Sequence, residues 1–276
     1  MTETQQHNTE PRSRRIALEN LVNTRDLGGI KAMDGSSIKP KTLIRSGALN
    51  RASDQDIVTL FEDYQVTTII DLRTDEERKH RPDPIEKFSC VRYRSIPLLN
   101  GEAIGISRGS HEHFIKEIET IAHDPIGAMT EIYPKIVLSE ESEQGFREFF
   151  NELLLDSGGA VLWHCSMGKD RVGMSTALLL NALGVPKETI VGDYLATNRY
   201  LQGHTQEMLA AIASLPVPDM VKDSIHALNS ADTRFLNAAF SAINEEYGTL
   251  DVYMNEVLEV TDDKAKELKA KYLTRD

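Results

Sequence analysis

The sequence is poor in the residues that staple, span or chelate. It has two cysteines, Cys90 and Cys165, too few for a disulfide framework, so a reducing compartment or a thiol kept free for chemistry fits better than a stapled secreted fold. No stretch reaches the roughly 18 consecutive apolar residues that a membrane-spanning helix needs. The N-terminal segment MTETQQHNTEPRSRR lacks the apolar core of a secretory signal. The expected location is the cytoplasm, with export by a route that needs no classical signal peptide left open. Neither an HExxH string nor paired CxxC strings occur, so the common zinc patterns are missing and no metal or cofactor is expected.

Positive charge is also in deficit. Lys and Arg number 31 against 43 Asp and Glu, a formal charge of −12, and a field of that sign repels nucleic acid and anionic membranes. Nucleic acid is therefore not an expected partner, and any phosphate must be held by a local positive site. What is present is a core: 40% hydrophobic and 27% charged residues describe a soluble folded chain.

Residues 1–15 mix polar and charged side chains without hydrophobic period and read as a mobile tail. Residues 16–276 read as one domain, an α/β core over about 16–185 with a helical extension over about 186–276. Thr67–Leu72 is a β-branched apolar run and predicts a buried strand. Cys90–Pro97 and Gly159–Trp163 predict two more, the last preceded by a helix from about Ser139 to Leu155. Ser53 starts a helix ahead of Ile57 and Leu60, and Thr74 with Glu77 forms a capping box directly after the first strand. Strands separated by helices imply parallel pairing. From Val172 onward the periods are helical, broken at Gly184-Val185-Pro186, with no strand expected.

One segment carries chemistry. Val161-Leu162-Trp163-His164-Cys165-Ser166-Met167-Gly168-Lys169-Asp170-Arg171-Val172-Gly173 puts a cysteine at the carboxyl end of a strand, a loop after it, and an apolar helix behind Arg171. Ligands bind at that edge of a parallel sheet. Loop N–H groups and the helix N-terminus form an anion cradle, which Arg171 closes by bidentate contact. The same positive field favours the thiolate of a cysteine held there. A phosphate monoester in the cradle faces that sulfur, which predicts attack by Cys165, a phosphocysteine intermediate, and its hydrolysis by water.

The string His164 to Arg171 has the Cys-x5-Arg form of the cysteine-dependent protein tyrosine phosphatases, and its Gly-Lys-Asp-Arg ending resembles the bacterial tyrosine/lipid phosphatase branch. Further resemblance lies in Asn23–Gly29, Leu43–Ser46, Ile70–Thr74, Asp193–Asn198 and Glu245–Gly248, so it runs from about residue 16 to 258. It implies a three-layer tyrosine-phosphatase-like α/β fold with a central mostly parallel sheet and a C-terminal helical extension. It implies Cys165 as nucleophile, Arg171 as phosphate ligand, and Ser166, Met167, Gly168, Lys169 and Asp170 as the rest of the phosphate loop. Lys169 is the residue that, by resemblance, extends the substrate range from phosphotyrosine to phosphoserine, phosphothreonine and phosphoinositides by holding a second phosphate. The implied partner is a phosphorylated protein or a phosphoinositide, and the oligomeric state is left unassigned. Two departures stand out. Val172 replaces the Ser or Thr that usually follows the arginine, and Leu98-Leu99-Asn100 lacks the acid some members carry there, which leaves Asp170 as the candidate general acid.

The other candidates have supporting readings. His164 supports the loop from the opposite face of its strand. Asp71 and Arg73 end a strand at the ligand edge and position either the loop or the substrate. Arg25 and Asp26 read as a buried ion pair that fixes a turn. Tyr194 and Asn198 share a helix face behind the loop. Cys90 is either a small core residue or a resolving thiol. Lys264–Lys271 is a solvated helix face. The rival functions are a rhodanese-type sulfurtransferase and a phosphate-binding protein with little turnover.

Overall fold

The computed structural model describes residues 14–88, 91–99, 123–213 and 219–274. Cys90, Asn100 and residues 1–13 of the expected tail lie outside that set. The strands are β1 (Arg14–Arg15), β2 (Arg25–Asp26), β3 (Ser37–Ile38), β4 (Leu43–Ser46), β5 (Val66–Asp71), β6 (Arg92–Ser95), β7 (Ala160–His164) and β8 (Leu273–Thr274). Six of them form the main sheet in the order β1-β2-β4-β7-β5-β6. Its three pairings from β4 to β6 are parallel, whereas β1, β2 and β4 pair antiparallel. The expected tail is thus too long by two residues, because Arg14 and Arg15 pair with Asp26 and Arg25.

Alternation along the strands sorts side chains to two faces. Leu43, Ile70, Val161 and Trp163 join one hydrophobic cluster; Ile44, Ile69, Ala160 and Leu162 join the other. The smaller cluster is closed by the N-terminal segment and α1 (Asp54–Val58), where Ser53 and Asp56 cap reciprocally. The larger cluster takes in helices from the whole second half of the chain. After α2 (Asp75–His80) come α3 (Pro125–Leu138), α4 (Glu140–Leu154) and α5 (Asp170–Ala182), then α6 (Lys187–Ala213), α7 (Asp219–Asn229), α8 (Thr233–Tyr247) and α9 (Asp262–Tyr272). Phe146, Phe149, Phe150, Trp163, Leu178, Phe235, Tyr253 and Tyr272 are all buried in it. The helical extension therefore shares a core with the α/β part.

Several elements were not legible, among them the short strands β1 to β4. Residues 273–274 form a strand on Ser37–Ile38, where the sequence predicts only helix; a two-residue strand has no period to read. α3 carries Pro134 in its interior, which interrupts the pattern by which helices are recognised. Among the described residues no helix is long and apolar enough to cross a membrane.

Candidate active site

The site is built where β7 hands over to α5. β7 is central and fully buried, so its carboxyl end is fixed on both sides by β4 and β5. Cys165 follows it and is 2% exposed. Lys169 is the N-cap of α5 and makes no side-chain capping bond, so the first-turn N–H groups of α5 are left for a ligand.

The loop between is held by its carbonyls. Asn23 Nδ2 donates to Met167 O at 3.0 Å and to Gly168 O at 2.8 Å. Arg45 Nη2 donates to Gly168 O at 2.8 Å, and Ala48 N–H donates to Ser166 O at 3.2 Å. Each peptide is trans, so the N–H groups of Met167, Gly168 and Lys169 point the opposite way from those three carbonyls. That is the arrangement of an anion cradle. Gly168 adopts φ +65°, and a Cβ there would meet Ser46 O at 2.5 Å; only glycine fits this turn.

Asn23 and Arg45 hang from one carboxylate. Asp193 accepts from Arg25 Nε at 3.0 Å and Arg45 Nη1 at 2.5 Å, all three side chains being at most 1% exposed. Arg25 also donates to both the carbonyl and the side-chain oxygen of Asn23. Burial and the like charge of Arg25 pull Arg45 down to about 10 against the attraction of Asp193. Burial opposes the Asp193 carboxylate as well, but the two guanidiniums outweigh it and hold its pKa below the usual range. The expected Arg25–Asp26 ion pair is therefore wrong in its partner. The two residues are consecutive in a strand and face opposite ways; Asp26 instead accepts from the N–H groups of Gly28 and Lys41, both at 2.8 Å.

A second support lies across the loop. Arg171 donates through Nη1 and Nη2 to the Glu77 carboxylate at 2.5 and 2.8 Å, and Ser166 Oγ donates to the same carboxylate. Glu77 is also the capping residue of α2, accepting from Thr74 N–H at 2.9 Å. Burial raises its pKa, but Arg171 outweighs burial and holds it well below the usual carboxylate range. The same pair, working against burial, raises Arg171.

Beneath β7, His164 sits with Asp71, Asp83, Arg73 and Tyr93. Arg73 bridges Asp71 and Asp83, each at 2.7 Å, and the Tyr93 hydroxyl donates to both at 2.6 and 2.8 Å. His164 Nε2 is 3.2 Å from Asp83 Oδ2 and its Nδ1 is 3.4 Å from Cys165 O. Burial disfavours the imidazolium, yet Asp71 and Asp83 outweigh it and raise the His164 pKa. Asp71, Asp83 and His164 offer atoms within 4.8 Å of one another, as a metal site would, but the Arg73 guanidinium already occupies the cationic position between the carboxylates. Asp71, Arg73, Asp83 and His164 are buried and Tyr93 is half-buried, which fits support of the loop. Asp83 carries no signal in the sequence that would single it out.

Two loop residues have specific neighbours. Lys169, expected beside the phosphate, is 1% exposed and directs its ammonium to the carbonyls of Leu228 and Ser230 at the end of α7, 5.7 Å from the Phe235 ring centroid. The reason is the helical extension, whose carbonyl end offers a desolvated cation partners that solvent does not. Asp170 accepts from the Tyr133 hydroxyl at 2.7 Å and lies 3.3 Å from Lys169 Nζ. Tyr133 in turn pairs with Tyr194 at 2.5 Å, and Asn198 exchanges hydrogen bonds with Ala231.

The tyrosine phosphatase family profile matches residues 16–274, and the chain belongs to that family. A protein of Cupriavidus necator is 28% identical over 247 residues, 89% of this chain and 84% of its own length. A tyrosine-protein phosphatase of Nostoc commune is 28% identical over 244 residues, covering 87% and 77%. The triple specificity protein phosphatase PtpB of Mycobacterium tuberculosis is 27% identical over 244 residues, covering 80% and 87%. The mixed α/β architecture with its mostly parallel sheet is the fold of this family, and the activity class is that of a phosphatase.

The Glu77–Arg171 pair gives a pH signature. A carboxylate depressed on folding stabilises above its unfolded pKa of about 4.3, and that contribution fades as pH falls below it. Glu77→Gln should lower the thermal midpoint at pH 7 by roughly 5 °C and flatten its decline between about pH 5 and 3. A decline of unchanged slope would assign the acid sensitivity to other carboxylates.

Proposed function

We propose that the protein hydrolyses phosphate monoesters, protein phosphotyrosine first, through a phosphocysteine on Cys165. The observation that carries this reading is the loop itself: three carbonyls bound on one side, N–H groups directed to the other, and Arg171 gripping a carboxylate with both terminal nitrogens as it would grip two phosphate oxygens. A sulfur lone pair attacks phosphorus, the S–P bond forms, and the bond to the alcohol oxygen breaks. The leaving oxygen takes its proton from Asp170. Water then attacks phosphorus and gives a proton back to Asp170; the S–P bond breaks, releasing phosphate and the thiolate. Arg171 and the loop N–H groups balance the equatorial oxygens throughout.

The wider range, phosphoserine, phosphothreonine and phosphoinositides, is supported by the name of the Mycobacterium tuberculosis relative. It is not supported by Lys169 as a second phosphate ligand, because that ammonium faces α7. Asp170 suits the acid role by its place beside Arg171 and by a side chain that keeps 20% of its surface exposed.

Cys165→Ser should abolish release of nitrophenol from nitrophenyl phosphate, in the presence of EDTA, while phosphate still binds; near-native turnover would overturn the reading. Thiocyanate production from thiosulfate by the native protein would point to a sulfurtransferase instead. Asp170→Asn should slow phenyl phosphate on the order of 100-fold more than nitrophenyl phosphate, because only the poorer leaving group needs its proton in the transition state. Equal losses would make Asp170 structural.

Val172 gives a third test. Its side chain is buried and offers no hydroxyl to the sulfur, and the nearest helix hydroxyls, of Ser175 and Thr176, donate to its carbonyl at 3.1 and 2.6 Å. If hydrolysis of the phosphoenzyme limits turnover, Val172→Thr should raise kcat about tenfold, the value of a hydrogen bond to a charged group, and shrink the burst of nitrophenol. An unchanged kcat would show that the second step has another donor.

A further inference from the structure

A cavity of about 520 Å³ opens between the segment before β2 and the middle of α6. It abuts the phosphate loop through Val22, which lines it. The Val22 carbonyl accepts from Gly47 N–H at 3.0 Å, and a Cβ on Gly47 would lie 2.9 Å from the Val22 side chain and 3.5 Å from the Met167 carbonyl carbon. The next residue, Asn23, holds the Met167 and Gly168 carbonyls. The cavity is thus one side chain removed from the Met167 end of the phosphate loop, on the flank that Asn23 holds. Its other wall is fixed as well, since the Tyr200 ring lies against the Arg25 guanidinium at 5.0 Å from its centroid.

The lining has a charge unlike that of the protein. Arg15, Arg51 and Arg199 converge on it in a chain of formal charge −12. Among the described residues neither Arg15 nor Arg51 forms an ion pair. Two carboxylates share the wall, Glu19 and Glu207; Glu19 accepts from Ser53 Oγ at 2.7 Å, which turns part of its charge away. Gln202 and Gln206 add amide groups that suit a peptide backbone. The volume is that of an ordinary ligand pocket.

We propose that this cavity is a specificity subsite that takes an acidic side chain of a phosphopeptide, next to the phosphotyrosine held at Cys165. The proposal rests on the phosphatase reading above and deepens it. A peptide is favoured over a phosphoinositide in a bilayer, because the whole-protein field repels an anionic membrane whereas a single acidic side chain meets only the local arginines. The wall touches neither the sulfur nor the phosphate, so it acts on peptide affinity and leaves the chemistry of small substrates alone.

The test compares phosphotyrosine peptides with Asp or Glu at the flanking positions against neutral and basic versions, using the full chain. The native protein should show a higher kcat/KM for the acidic set, carried by KM, fading as salt rises through the screening range. Replacing Arg15 and Arg51 together by Gln should lower that preference about tenfold, the sum of two exposed ion pairs, with kcat and KM on nitrophenyl phosphate unchanged. Arg51→Glu should shift the preference toward basic peptides, a gain that misfolding cannot produce. Equal kcat/KM across the peptides would overturn the subsite. So would a double variant that discriminates as the native protein does, or one that loses only hydrolysis of a short-chain soluble phosphoinositide. Absence of nitrophenyl phosphate turnover in the native protein would instead remove the phosphatase reading itself.

Discussion

Everything at the site depends on three carbonyls that must face away from the ligand. A loop that turns its N–H groups toward an anion turns its C=O groups into the protein, where each needs a donor or incurs a desolvation penalty of about 1–3 kcal/mol. Here Ser166 O, Met167 O and Gly168 O meet Ala48 N–H, Asn23 and Arg45. Sequence segments that are remote from one another, Asn23–Gly29, Leu43–Ser46 and Asp193–Asn198, come together for that purpose. Their shared pivot is Asp193, which holds both Arg25 and Arg45 and thereby keeps two buried guanidiniums from being uncompensated.

The arrangement leaves more positive than negative charge behind the loop, two arginines to one carboxylate. Arg45 reaches the loop through the Gly168 carbonyl and Arg171 stands at its far end, so the support that shapes the cradle also suits an anionic substrate. On the opposite flank Glu77 balances Arg171 and orients it. Below the strand, Asp71 and Asp83 are met by Arg73, Tyr93 and His164, a buried cluster that closes its own charge rather than drawing on solvent. The loop carbonyls and Arg171 are thus bound by the protein itself, the kind of preorganisation that electrostatic stabilisation without reorganisation requires.

What could be read from the sequence was local. A strand, a cysteine, a glycine at a fixed offset, an arginine and a helix follow one another within Val161–Leu183, and their order alone describes the cradle. The helix start at Ser53 and the capping box at Thr74 were legible for the same reason. Partnerships across the chain were not. Arg25 lies beside Asp26 in sequence, but strand alternation separates them and the partner, Asp193, is 168 residues away. Glu77 was legible as a cap and illegible as the partner of Arg171, because the same carboxylate does both. Lys169 read as a phosphate ligand by its position in the motif; only the packing of α7 and α8 against α5 reveals the carbonyls that take its ammonium.

The central claim is that the carbonyl clamp creates the anion site, and vanadate affinity of Asn23→Ala measures it most directly. The Asn23 amide is committed to the carbonyls of Met167 and Gly168, so its loss removes a donor from both while leaving Cys165, Arg171 and Glu77 in the sequence. With native circular dichroism retained, vanadate binding should weaken at least tenfold, the equivalent of about 1.4 kcal/mol. A folded Asn23→Ala protein that binds vanadate as tightly as the native chain would contradict the account.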